Sequence, residues 1–415
     1  WVMLSKDSVA SEQVIKTCCA MCSWTCGIKV HLREGKILKV EGDPDHPVSR
    51  GYLCTKGAST IDYVYSPDRL KYPMKRDGEG WKRISWEEAL DTTSSELTKI
   101  KDTYGARSLA VITGMSFVTQ GVAGMYLLRR FCDVYGTPNY FTPECMCFLS
   151  HIVANIMTLG KFPCADPVNS KCIVLWGHNP SHSNPLLANH VSKAMKKGAK
   201  LIVIDPRRIP LAKKARVHAQ IRPGSDCALA LGMLNVIISE NLFDKEFVEK
   251  WTSGFDRLAD HVKSYPPEEV EKITWVPAET IKQIARTYAT AKPACIVQGF
   301  NALDQQAAGF QASRAIIILQ SITGNLDIPG GYVSVNMGGL MMSAVPEYPS
   351  LRLPEMLQEK PLGCNEYPLC APVFDDWTGQ GMLLADTILT EKPYPIKMII
   401  AVSYTHLTLP TKRIV

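Results

Sequence analysis

The stretch Cys19-Ala20-Met21-Cys22-Ser23-Trp24-Thr25-Cys26, followed after a glycine-punctuated run by Cys54-Thr55-Lys56-Gly57, decides how this chain is read. Three thiols in one short loop and a fourth from a distant segment suit a 4Fe-4S cluster, because thiolates are soft ligands for iron and two loops can surround one cube. A zinc ribbon would present two close pairs. Here Cys54 stands alone, so zinc is the weaker reading, and inert buried cysteines are weaker still. Cys18 adjoins Cys19, but the two residues between Cys19 and Cys22 make the tighter loop. The ligand set is therefore read as Cys19, Cys22, Cys26 and Cys54.

With Lys56-Gly57 directly after Cys54, and with Tyr72-Pro73 and Trp81-Lys82-Arg83-Ile84-Ser85-Trp86 beyond it, the chain resembles the molybdopterin oxidoreductases, the dimethyl sulfoxide reductase superfamily, to about Val402. The resemblance implies molybdenum or tungsten held between two pterins as bis-molybdopterin guanine dinucleotide. It also implies that Lys56 lies between the cluster and one pterin, where its cation can steady electron passage.

Composition agrees with an enzyme of several lobes. The 415 residues exceed the size at which single cores usually divide, and no run of about eighteen apolar residues offers a membrane span. The net charge of +6 is dispersed. Basic residues at 193–200 and 207–216 flank the expected nucleotide site, so dinucleotide phosphates explain them better than nucleic acid does. Fourteen cysteines without a secretory segment point to metal and thiol chemistry rather than a disulfide framework. The chain reads as cytoplasmic, or as exported after loss of a twin-arginine signal. Residues 403–415 continue no element and read as a non-native tail. The resemblance implies a further C-terminal dinucleotide-binding domain that is missing here.

The predicted fold class is α/β, with a small N-terminal iron-sulfur domain and Rossmann-like doubly wound parallel-sheet domains. Residues 14–72 form the cluster domain, 141–334 the dinucleotide-binding domain, and 73–140 with 335–402 a discontinuous second lobe. Apolar runs predict strands at 108–114, 172–176, 201–204, 294–297 and 396–402, and intervening patterns predict helices at 120–135, 184–197 and 226–241. Residues 245–290 are expected to form a helical hairpin. Strand-helix-strand units of this kind build a parallel sheet with right-handed crossovers.

Loops after these strands carry the remaining site. Gly177-His178-Asn179-Pro180 follows Trp176, and Asp205-Pro206-Arg207-Arg208 follows the next strand, where open parallel sheets place ligands. Pro223-Gly224-Ser225-Asp226 begins a helix. Turns and helix caps explain each alone. In this order, and after the cysteine motif, the resemblance makes them cofactor contacts, with Trp176, Gly177, His178, Asn179, Pro180, Asp205, Pro206, Arg207, Arg208, Gly224, Asp226 and Gln298 as binding residues, and Gly324-Asn325 beside them.

Within Glu144-Cys145-Met146-Cys147, Cys147 occupies the place of the family's metal ligand, because helical residues follow at once and a helix start lowers a thiol's pKa. Cys145 is the second choice. His151, one helical turn beyond, is a candidate proton donor near the metal, against the plainer reading of a satisfied helix histidine. Formate chemistry is disfavoured by Phe148 and the apolar Met337 region. Hydration of acetylene is disfavoured by Ser23, where that branch carries an acidic residue. The reading is an oxidoreductase acting on a small molecule and passing electrons through Lys56 and the cluster to a ferredoxin-like or iron-sulfur subunit. The alternatives are a non-redox hydratase or hydroxyl-transferring member, and a metal-free electron-relay subunit.

Overall fold

A computed structural model describes residues 12–22, 24–114, 122–143, 147, 149–334, 353–357, 359–368, 372–373 and 376–402. The expected ligand alternative Cys145, the substrate-discriminating positions Ser23, Phe148 and Met337, and the tail from 403 lie outside them.

The N-terminal unit is a three-stranded antiparallel sheet of Gln13–Cys18, Gly27–Arg33 and Lys36–Gly42. The cysteine loop joins the first two strands and is closed by the Cys19 amide donating to the Cys26 carbonyl at 2.8 Å. Gly57 is buried beneath Leu53 and Cys19. A Cβ there would meet Leu53 Cδ1 at 2.3 Å, so glycine lets the Cys54 segment close onto the loop.

The central sheet is parallel throughout, in the order Val217–Ala219, Lys200–Ile204, Cys172–Trp176, Ala294–Gln298. Chain order is thus 3-2-1-4, and the direction of winding reverses between Cys172–Trp176 and Ala294–Gln298. Every residue of both those strands is buried, as expected of a sheet covered on two faces. Val174, Trp176, Ile202 and Ile204 pack one way, against the helices Asp226–Ser239, Ala278–Thr290 and Gly309–Ile322. Ile173, Leu175, Leu201 and Val203 pack the other way, with Leu187, Val191 and Ala194 of the helix Pro185–Lys196. This is a doubly wound α/β arrangement, and it agrees with the expected fold class. A second parallel sheet sets Leu109–Thr113 between Met398–Val402 and Tyr140–Phe141.

The expected hairpin over 245–290 is instead four α-helices, Lys245–Trp251, Phe255–His261, Pro267–Thr274 and Ala278–Thr290. The interruptions have local causes. Gly254 and Trp275 adopt left-handed conformations, and Pro266 and Pro277 each stand before a helix as its N-cap. No helix among the described residues is long and apolar enough to cross a membrane.

Candidate functional site

Cys19 and Cys26 are buried, whereas Cys22 and Cys54 are half-buried. Burial pushes the Cys26 thiol up to about 11, and nearby Cys22, Cys19 and Cys54 add to the rise. Burial also raises Cys19, with Cys22 and Cys54 adding and the Lys56 cation opposing. The four thiols therefore feel one another's charge, and ionising them together requires a cationic partner, which is what an iron-sulfur core provides. Among the described residues no three His, Cys, Asp or Glu side chains stand close enough to hold a single ion. In a cube each thiolate binds a different iron, so its ligands stand further apart than those of one ion.

The reversal of winding in the central sheet marks the second element of the site. In open α/β sheets a crevice opens beyond the strand C-termini where the winding reverses, and ligands bind there. A cleft of about 740 Å³ lies at this point, lined by Gly177, His178 and Asn179 from one strand end and Gln298, Asn301 and Ala302 from the other. Arg207 reaches it from the neighbouring strand, and Trp24 from the cysteine loop. The loops approach so closely that side chains are barred. Gly177 has φ +60° and a Cβ there would sit 2.7 Å from that of Ala302, while a Cβ on Gly299 would sit 1.9 Å from the Gly177 oxygen.

The cleft fits a polar, multidentate cofactor because its buried polar atoms lack protein partners. His178 Nδ1, Asn179 Oδ1, Asn184 Nδ2, both carboxamide atoms of Gln298 and His151 Nδ1 make no hydrogen bond. Buried polar atoms without partners are uncommon in folded proteins, and a concentration of them around one cleft marks a place for a ligand's donors and acceptors. Burial also lowers the pKa of His178, keeping its ring neutral and able both to donate and to accept. Asp205 is buried, accepts from the Arg207 amide at 2.8 Å, and holds the Arg207 guanidinium 3.7 Å away. Arg207 and Arg208 are exposed, available for phosphate.

Other expected contacts lie elsewhere. Trp176 is fully buried and points into the core, where its Nε1 donates to Asp226 Oδ1 at 2.8 Å; Gln306 Nε2 donates to Asp226 Oδ2 at 3.0 Å. This pair ties the strand to the helix Asp226–Ser239 instead of facing the cleft. The reason is alternation: Gly177 breaks the strand one residue later, so Trp176 still follows the sheet's inward pattern. Gly224 lines a separate depression with Tyr265 and Ile273, and Lys56 another with Met21 and Tyr63. Pro180 is buried as the first residue of the helix Pro180–Ser183, and Pro206 is exposed in its loop.

Cys147 Sγ lies 3.1 Å from Asn301 Oδ1 and donates to it, so the expected metal ligand is joined to the cleft wall. His151 is 4% exposed, and burial pushes its pKa down to about 4, so the ring is neutral near pH 7. Phe162 and Phe300 flank it, with ring centroids 5.5 and 5.1 Å away. Asn301, Asn184, Phe300 and Tyr332 of the cleft wall escaped sequence reasoning; only the N-cap pattern Asn184-Pro185 could have drawn attention to one of them.

Comparisons with known proteins agree with this arrangement. The family model described as molybdopterin oxidoreductase Fe4S4 domain matches residues 12–66, and that described as molybdopterin oxidoreductase matches residues 69–369. Acetylene hydratase of Syntrophotalea acetylenica is 32% identical over 93% of this chain and 56% of its own length. Formate dehydrogenase H of Escherichia coli is 36% identical over 81% and 49%, and the thiosulfate reductase molybdopterin-containing subunit of Salmonella typhimurium 32% identical over 91% and 50%. The solved structure of acetylene hydratase from Pelobacter acetylenicus superposes with a TM-score of 0.79 at 30% identity, covering 94% of this chain and 56% of that one. The chain thus spans about half the length of the curated relatives it matches. Cysteine loop, doubly wound sheet and switch-point cleft fall within the two matched segments, which together cover most of the sequence, and the chain belongs to the molybdopterin oxidoreductase family, with the 4Fe-4S cluster and the molybdenum or tungsten pterin cofactor of that family.

Proposed function

We propose that the chain is the catalytic part of an oxidoreductase that exchanges two electrons, with or without an oxygen atom, with a small substrate, and hands the electrons singly to an iron-sulfur or ferredoxin-like partner. The observation that carries this reading is a shared wall: Trp24 of the cysteine loop lines the same cleft as Gly177, Asn179 and Gln298. Cluster and cofactor site would then be neighbours, as electron transfer requires. When bound, bis-molybdopterin guanine dinucleotide supplies a metal able to change oxidation state by two.

The chain's own residues orient and insulate that chemistry. The Gly177–Asn179 and Asp205–Arg207 loops hold the dinucleotide by amides, carboxylate and guanidinium. Cys147 offers a thiolate to the metal, with the Asn301 carboxamide against its sulfur. Once the thiol is ionised that carboxamide is best turned to donate its N–H, which fixes and tunes the ligand. Lys56, whose charge is felt at Cys19, offsets negative charge arriving at the cluster. Phe162 and Phe300 set aromatic rings against His151 at the inner cleft.

Candidate substrates are sulfur oxyanions, polysulfide, N- or S-oxides and aromatic hydroxyl compounds. The 0.79 TM-score with acetylene hydratase favours a non-redox hydratase as the second reading; Ser23 in place of an acidic residue speaks against it. Anaerobic assays separate the two. Oxidation of reduced methyl viologen by dimethyl sulfoxide, trimethylamine N-oxide, thiosulfate or polysulfide supports the redox reading. Conversion of acetylene to acetaldehyde with no electron acceptor present overturns it in favour of the hydratase.

A further inference from the structure

His151 leaves one ring nitrogen without a partner, and the hydrogen bonds behind it determine which nitrogen carries the proton. Asn155 is fully buried, and its Nδ2 donates to the His151 carbonyl oxygen at 2.9 Å. A carbonyl only accepts, so the carboxamide cannot be reversed. Its Oδ1 is in turn taken by the Tyr332 hydroxyl at 2.8 Å. The second hydrogen of Nδ2 then faces His151 Nε2 at 3.3 Å, which must be the accepting, unprotonated nitrogen. The proton is left on Nδ1, a buried atom with no hydrogen-bond partner on a ring that lines the cleft.

Gln298 stands beside this ring. Its carboxamide is near enough to raise the ring's basicity slightly, yet it does not reach hydrogen-bond geometry, and both its polar atoms are unpartnered. We infer that His151 is a neutral hydrogen-bond donor which, with the Gln298 carboxamide, binds an uncharged or partly negative acceptor atom of whatever fills the inner cleft, instead of serving as the proton donor its place in the sequence suggests. The inference deepens the proposed function and rests on it only for the identity of the occupant. Burial between Phe162 and Phe300 keeps the ring from charging, with a pKa of about 4. Asp304 also lies against this turn, beside the His151 amide, and burial raises its pKa; Tyr332, behind Asn155, is pushed up by burial as well. A neutral imidazole N–H polarises an acceptor without giving up its proton, a role a buried histidine can fill. The acceptor is a pterin ring atom or a substrate oxygen, and the experiment separates these.

The test is nitrogen-15 NMR of the protein labelled at histidine, with His151 identified by the signal lost in His151→Gln. In protein free of the metal cofactor, the expected pattern is a protonated Nδ1 and an unprotonated Nε2, unchanged from pH 8 to pH 5. Protonation on Nε2, or titration near the usual imidazole value, overturns the inference whether or not the protein proves to be a redox enzyme. Asn155→Leu removes the donor that faces Nε2 and is expected to mix the two tautomers; an unaltered spectrum would contradict the assignment of the proton to Nδ1. In cofactor-loaded protein, a downfield shift of the Nδ1 proton before any substrate is added assigns the acceptor to the pterin. A shift that appears only with dimethyl sulfoxide or thiosulfate assigns it to substrate, and His151→Phe should then weaken binding of that probe roughly tenfold. No shift under either condition overturns the binding role.

Discussion

Asp304 offers a perturbation whose size follows from its surroundings. It ends the short helix Phe300–Asp304, and both carboxylate oxygens are buried without hydrogen-bond partners. Burial raises its pKa from 3.8 to about 7, the nearby His151 amide opposing only in part. For a carboxyl group, a raised native pKa means that the folded chain keeps a proton which the unfolded chain releases. Stability from this group is thus fully present below about pH 4, declines as the pH climbs to about 7, and is lost above that. Three pKa units at 1.36 kcal/mol each make the loss up to about 4 kcal/mol. Asp304→Asn keeps the shape and removes the charge. The variant should lie within about 1 kcal/mol of the natural protein near pH 4.5 and melt several degrees higher at pH 8, because 1 kcal/mol moves the midpoint of a 150–250-residue unit by roughly 2–4 °C. Differential scanning fluorimetry across pH 4.5–8.5 measures this directly. Parallel midpoint curves for the two proteins would refute the reasoning, since they would mean that Asp304 carries the same charge folded and unfolded.

Further substitutions and one chemical modification probe the site and its surroundings. Gly299→Ala forces a Cβ to within 1.9 Å of the Gly177 oxygen and should destabilise the fold by more than about 3 kcal/mol, seen as lost soluble yield, because backbone cannot yield as a side chain can; Gly78→Ala, at φ +57° with open space around it, should cost only roughly 1–2 kcal/mol. Asp226→Ala strands the Trp176 and Gln306 donors and should lower the urea midpoint by an amount equivalent to roughly 2–4 kcal/mol, whereas a purely cofactor-binding role would leave the cofactor-free protein unchanged. In iron-free protein, the Cys26 thiol, pushed up to about 11, should be alkylated slowly at pH 8 and markedly faster by pH 10, as followed by peptide mass spectrometry, and iron loading should protect it.

The central sheet was readable because its strands are continuous apolar runs bounded by breakers. Cys172–Trp176, Lys200–Ile204 and Ala294–Gln298 fall within one residue of the expected ranges. The cysteine loop was readable because ligand spacing is local. What escaped reading depends on tertiary approach. Tyr332 reaches Asn155 across 177 residues, and Asn301 reaches Cys147 across 154; no periodicity encodes either. Pro163–Ala165 and Tyr332–Ser334 pair with each other, but three residues are too few for an alternating pattern to stand out. Trp176 and Asp226 look like ligand contacts because they adjoin ligand loops. The strand's last inward position and the helix's first turn instead bring them together in the core.

Elemental and nucleotide analysis of the anaerobically purified protein, from a host that makes the pterin cofactor, tests the central claim most directly. A cluster domain joined to a switch-point dinucleotide cleft should carry about four irons, one molybdenum or tungsten, and guanine nucleotide released on acid hydrolysis. Four irons with neither metal nor guanine nucleotide would contradict it and mark the chain as an electron-relay subunit.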